Sequence, residues 1–147
     1  MKKIMLILWV FTLLPLSGAQ AELTKDIIVY KSPHCTCCSK WVRYLEDEGY
    51  KVEAVNTRDV YEWKKKYAVP EKIAACHTAW IDGYVVEGHA TDRDIKRLLM
   101  TRPEIKGIAV PGMPVGTPGM IKGNTREPYD VISFDEEGNT AVFVEHR

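Results

Sequence analysis

The 147-residue sequence predicts an α/β fold with a core in the order β-α-β-α-β-β-α. Two observations carry this. Short apolar or alternating runs take turns with segments whose apolar residues recur at i, i+3, i+4 and i+7. Residues that cap, turn or break a chain stand at nearly every switch between the two.

Ile27-Ile28-Val29-Tyr30 suits a buried strand, and Pro33 soon breaks it because proline supplies no ladder N–H. Cys38, Trp41, Val42 and Leu45 then share one helical face, with Thr36 as the expected N-cap and Gly49 as the stop. Lys51 to Val55 alternates as a second strand. A second helix follows, capped by Thr57, with Val60, Trp63 and Tyr67 inward and Pro70 beyond its end. His77 to Ile81 and Tyr84 to Glu87 flank Asp82-Gly83, a two-residue hairpin signal. Thr91 and Asp94 resemble a capping box; Ile95, Leu98 and Leu99 give the third helix its stripe, and Pro103 closes it.

This is the element order of a thioredoxin or glutaredoxin core, with a right-handed crossover expected between the first two strands. Residues 104–147 read as an elaboration packed on it. They comprise a Pro/Gly loop from Val110 to Met120, with Pro-Gly-Met twice, and a β-hairpin of Asp130 to Phe134 with Ala141 to Val144.

Ahead of the core, Lys2 and Lys3, the apolar run Ile4 to Leu16 and Ala19-Gln20-Ala21 have the form of a secretory signal peptide cleaved after Ala21. The run is short for a membrane span, which needs about 20 apolar residues. Residues 22–147 are then a single exported domain with no span of its own, in a compartment where disulfides persist. The leader holds two of the 20 Lys and Arg and none of the 20 Asp and Glu. The remaining near-neutral surface excludes a nucleic-acid binder, which needs excess basic charge.

The chemistry lies in the cysteines. Cys35, Cys37 and Cys38 open the first helix, and Cys76 directly precedes the third strand. The first helical turn favours thiolate over thiol, and Cys35 and Cys38 have the C-x-x-C spacing of a redox dithiol. Cys37 is surplus to that chemistry. In a thioredoxin-like arrangement Cys76 reaches the same cluster, making a four-sulfur set. Such a set suits Cu(I), Zn(II) or iron–sulfur. Zinc sites favour spaced pairs of cysteines. Three sulfurs on one turn better suit bridging of several Cu(I) ions. Met113 and Met120 are candidate thioether ligands, and His34 and His77 candidate imidazole ligands that also suit Cu(II). His89 reads as a helix-entry or packing residue, and His146 as one without a specific role. Trp41, Trp63 and Trp80 read as core, and Lys64-Lys65-Lys66 and Asp135-Glu136-Glu137 as solvated surfaces.

Val29 through Val42, with its Cys35-Thr36-Cys37-Cys38 centre, resembles the opening of the DUF411 family. Ala75 to Ala79, Asp82 to His89 and Val110 to Met120 resemble its later motifs. Thr36 stands where family members often carry glycine. The resemblance implies a thioredoxin-like fold that binds copper through Cys35, Cys37, Cys38 and Cys76. It also implies a periplasmic role in copper resistance and homeostasis, beside envelope copper-export proteins, with interconversion of Cu(I) and Cu(II) in prospect. A binding role is favoured over turnover. The alternatives left open are a thiol–disulfide oxidoreductase using Cys35 as nucleophile and Cys38 as resolving cysteine, and a zinc-stapled module.

Overall fold

The computed structural model describes residues 23–147. The signal peptide assigned to residues 1–21 lies outside the described residues. Strand β1 (Asp26–Lys31), helix α1 (Thr36–Asp47), β2 (Lys51–Asn56), α2 (Val60–Lys66), β3 (His77–Ile81), β4 (Tyr84–Gly88) and α3 (Asp92–Thr101) follow in the expected order. Three further strands follow: β5 (Gly107–Val110), β6 (Tyr129–Phe134) and β7 (Thr140–His146). The result is a mixed α/β fold around one seven-stranded sheet, ordered β2-β1-β3-β4-β5-β6-β7.

Strands β1 and β2 are parallel, and β3 runs antiparallel to β1 and to β4. From the sequence, residues 107–109 carry no assigned element within the extension, and Val110 opens its Pro/Gly loop. Together they instead form β5, parallel to β4 and fully buried. The terminal hairpin then adds to β5, so the extension continues the central sheet.

Side-chain alternation divides the core between the two faces of the sheet. Ile27, Val29, Ala79, Ile81, Val86, Ile108 and Val110 pack with Trp41 and Leu45 of α1 and Ile95 and Leu98 of α3. Val85, Ala109 and Phe134 form a smaller cluster with Ile73, Tyr67 and Val69. No helix among the described residues is long and apolar enough to cross a membrane.

The turn chemistry follows expectation at Asp82-Gly83, where both residues have positive φ (48° and 90°), as a tight hairpin demands. The capping box of Thr91 and Asp94 is also present. Two other caps differ. Cys35, not Thr36, caps α1, its sulfur accepting from the Cys38 amide; Asp59, not Thr57, caps α2, accepting from the Glu62 amide. Thr57 stands one step back, its hydroxyl oxygen accepting from the Asp59 amide.

Three side-chain assignments also change: Lys64 from solvated surface, Trp80 from core and His146 from no specific role. Lys64 is buried and ion-paired with Glu87, because the α2 face that carries Val60 and Trp63 carries position 64 too. Trp80 is 36% exposed, since it alternates outward on β3. His146 has specific partners: its ring stacks on Tyr129, and its Nε2 lies 3.0 Å from Asp94 Oδ1.

Tyr30 stacks on Trp63 with ring centroids 3.6 Å apart, and its hydroxyl lies 3.3 Å from that of Tyr67. Burial first, then this hydroxyl partner, pushes the Tyr30 phenol up to about 12. A free phenol titrates near 10. The folded chain therefore holds this proton longer than the unfolded one. The resulting stabilisation is complete below about pH 10 and lost as pH rises towards 12. Urea unfolding between pH 9 and 12 is expected to fall less steeply for Tyr30→Phe than for the wild type. Equal slopes would refute this account.

Candidate metal centre

The centre forms where β1 passes into α1 and where β3 begins. Beyond β1 the chain turns at Ser32, whose carbonyl accepts the Cys35 amide. Cys35 then leads into the first turn of α1, and Cys38, at the fourth position of the motif, faces the core and is fully buried. Cys37 lies between them and is half-buried. From the opposite side, the segment between Ile73 and β3 delivers Cys76.

The sulfur atoms of Cys35, Cys37, Cys38 and Cys76 all lie within 4.8 Å of one another. Cys35 Sγ and Cys37 Sγ are 3.4 Å apart, and Cys37 Sγ and Cys76 Sγ 4.0 Å. Cys35 and Cys38 are joined as a disulfide with Cα atoms 5.3 Å apart, while Cys37 and Cys76 are free thiols. The C-x-x-C pair is thus oxidised in this structure, and the other two sulfurs remain reduced.

Cys76 is the hub. Besides Cys37, its sulfur lies 3.1 Å from His89 Nε2 and 3.5 Å from His77 Nδ1. Burial, followed by the neighbouring Cys37, pushes the Cys76 thiol up to about 12. His89 Nδ1 lies 2.6 Å from the Pro118 carbonyl. A carbonyl only accepts, so Nδ1 carries the proton and Nε2 turns its lone pair towards Cys76. Burial holds the His89 imidazole below its usual range. His77 is held well below it, by burial first and by His89 second. Both rings are therefore neutral, the form that ligates metals. The His77 ring also lies tilted against Trp41 with centroids 4.3 Å apart, and its buried Nε2 has no hydrogen-bond partner among the described residues.

The loop after β5 closes over this group. A Cβ at Gly119 would sit 2.6 Å from the Cys37 carbonyl oxygen and 3.1 Å from His89 Nδ1. The same loop carries Met120, half-buried, and Met113, 38% exposed. His34 is exposed and stands outside the gathered ligand atoms.

Comparison with known proteins bears directly on these motifs. Residues 73–120, which span Cys76, His77, His89 and the Pro-Gly-Met loop, match the family described as "Protein of unknown function, DUF411". Form 2 of the copper resistance protein CopG superposes with a TM-score of 0.80 at 38% identity, covering 84% of this chain and 99% of that one. Form 1 gives 0.79 at 38% identity, covering 84% and 98%. The chain belongs to the DUF411 family of copper resistance protein CopG. A search of curated proteins returns no match.

Within this DUF411 chain, His89 stands at the centre rather than in the helix-entry or packing role its sequence position suggests. A signal for it was present. The Asp82-Gly83 turn sets the hairpin register, pairing Ile81 with Tyr84 and Thr78 with Glu87. Counting outward from that turn, residue for residue, reaches Cys76 opposite His89. The two ligand-type side chains at the open end of a DUF411 hairpin can thus be paired from the turn alone.

Proposed function

We propose that this protein is an exported copper-binding protein of the bacterial envelope, built on a thioredoxin-like core, that sequesters Cu(I) and contributes to copper resistance. The convergence of four sulfurs from two separate chain segments carries this reading. On binding Cu(I) the reduced Cys35, Cys37, Cys38 and Cys76 give up their protons and act as thiolates, the soft donors that select Cu(I) over hard cations. His89 Nε2 and His77 Nδ1 extend the donor set with imidazole, which also suits Cu(II). Met113 and Met120 sit on the covering loop as thioether donors, and the loop limits access of water. His34, exposed at the rim, is the weakest of the candidate ligands. The thioredoxin-like assignment is supported by the β2-β1-β3-β4 order and by the dithiol at the head of α1.

The disulfide supports a redox role for the same centre. Oxidation of the Cys35 and Cys38 thiols to one disulfide releases two electrons and two protons, enough to reduce two Cu(II) to two Cu(I). In reverse, reduction of the disulfide restores the full thiolate set.

Titration of the fully reduced protein with Cu(I) against a strong competing chelator tests the binding claim. The wild type is expected to outcompete the chelator, and Cys37→Ser to lose part of that capacity. Failure of the wild type to compete, with no difference on replacing Cys37, would overturn it. The disulfide also favours a second reading, a thiol–disulfide oxidoreductase that uses Cys35 and Cys38. On that reading Cys37→Ser and Cys76→Ser both retain disulfide reductase activity.

A further inference from the structure

Beneath Cys76 lies a group of buried charges that the copper chemistry does not use. Lys64 of α2, Thr78 of β3 and Glu87 of β4 are all buried, Glu87 completely. Glu87 Oε1 is ion-paired with Lys64 Nζ and accepts the Ala75 amide at 2.6 Å. Glu87 Oε2 accepts the Thr78 hydroxyl at 2.7 Å, and that hydroxyl oxygen accepts from Lys64 Nζ at 3.0 Å. Four polar groups from three elements and one loop are thereby satisfied together.

Such a pair is a poor device for stability alone. Desolvating two charges costs several kcal/mol, and well-packed apolar residues of similar volume often do as well or better. What hydrocarbon cannot do is accept the Ala75 N–H, the amide directly before Cys76. Ala75 is held from the other side as well, since a Cβ at Gly88 would lie 2.8 Å from its own Cβ. The strand that presents His89 thus also holds the backbone that presents Cys76. Lys64 supplies the counter-charge that a buried carboxylate needs.

We propose that Glu87, with Lys64 as its counter-ion, is a positioning residue that fixes the Ala75–Cys76 backbone so that the Cys76 sulfur meets the α1 cysteines and His89. This rests on the copper-binding reading above.

Two double variants separate positioning from stability. Lys64→Met with Glu87→Gln removes both charges but keeps a side-chain carbonyl for the Ala75 amide. Lys64→Met with Glu87→Leu removes the charges and that acceptor. By analogy with other supporting partners of metal ligands, the Leu variant is expected to lose about tenfold or more in Cu(I) affinity relative to the Gln variant. Its Tm is expected to equal or exceed that of the Gln variant. Equal Cu(I) affinities in the two variants would overturn the proposal. Hydrogen exchange on the wild type decides the case where the Leu variant does not fold. The Ala75 amide is expected to exchange as slowly as β3 and β4 ladder amides, and exchange at the rate of an exposed turn would overturn the proposal. A wild type that binds no Cu(I) would remove the copper reading, while the Ala75 exchange rate would still judge the clamp.

Discussion

Replacing Cys76 by serine is expected to weaken Cu(I) binding by more than about 100-fold, because loss of a supporting partner alone costs about 10–100-fold and Cys76 is a direct donor. Cys76 is the one cysteine of the cluster that lies outside the Cys35–Cys38 motif. Its sulfur joins Cys37 at 4.0 Å to His89 Nε2 at 3.1 Å and His77 Nδ1 at 3.5 Å. A serine hydroxyl is nearly the same shape but a hard oxygen donor with little preference for Cu(I). It can still hydrogen-bond His89, so the fold is expected to lose no more than about 1 kcal/mol, the scale of one neutral hydrogen bond. Competition titration of reduced protein, with thermal unfolding as the control, measures both. Affinity within threefold of wild type would remove Cys76 from the ligand set. Retained disulfide reductase activity together with unchanged copper binding would favour the oxidoreductase reading.

The parts of the fold legible in the sequence were those written in local chemistry. The Asp82-Gly83 turn, the Thr91–Asp94 box and the Cys38, Trp41, Val42, Leu45 face each specify their element without help from distant residues. Strand β5 was not legible. Gly107-Ile108-Ala109-Val110 is four residues long, and its strand identity comes from pairing with β4 on one side and β6 on the other. Lys64 was legible by position, since Val60, Trp63 and Tyr67 mark its face as inward. Its charge and its two lysine neighbours suggested solvent, and only the buried Glu87 on β4 reverses that.

The candidate site divides in the same way. The four cysteines are plain in the sequence, and their convergence follows from the element order. Their redox state does not, because the Cys35–Cys38 bond depends on the electrons available rather than on residue order. His89 needed the hairpin register. Its tautomer needed the Pro118 carbonyl, which lies 29 residues away along the chain. The caps of α1 and α2 were missed by one and two residues. The threonine preferred at such positions was present in both segments, but Cys35 and Asp59 point the side chain that reaches the free amide.

Gly88→Ala is expected to be strongly destabilising. Gly88 has φ +74°, and an added Cβ would lie 2.6 Å from the Val110 carbonyl oxygen and 2.8 Å from Ala75 Cβ. Neither neighbour is the free end of a flexible side chain. One belongs to the β5 ladder, and the other is fixed to the backbone that presents Cys76. The left-handed conformation costs an L-residue about 1–2 kcal/mol. Forcing a methyl into close-packed backbone costs about 1–3 kcal/mol more. The total, about 2–5 kcal/mol, corresponds to a fall in Tm of roughly 8–20 °C for a domain of this size. Gly83→Ala supplies the comparison, since Gly83 has φ +90° but, among the described residues, nothing within 4 Å of an added Cβ. It carries the conformational penalty alone and is expected to melt well above Gly88→Ala. Relief of the clash at position 88 requires β4 to move away from β5 or Ala75 to move away from β4. The second movement separates Cys76 from His89, so Cu(I) affinity is expected to fall in Gly88→Ala and not in Gly83→Ala. If the two variants melted together, backbone strain rather than close packing would govern this corner of the fold. If they bound copper alike, the distance from Cys76 to His89 would not be what the hairpin holds.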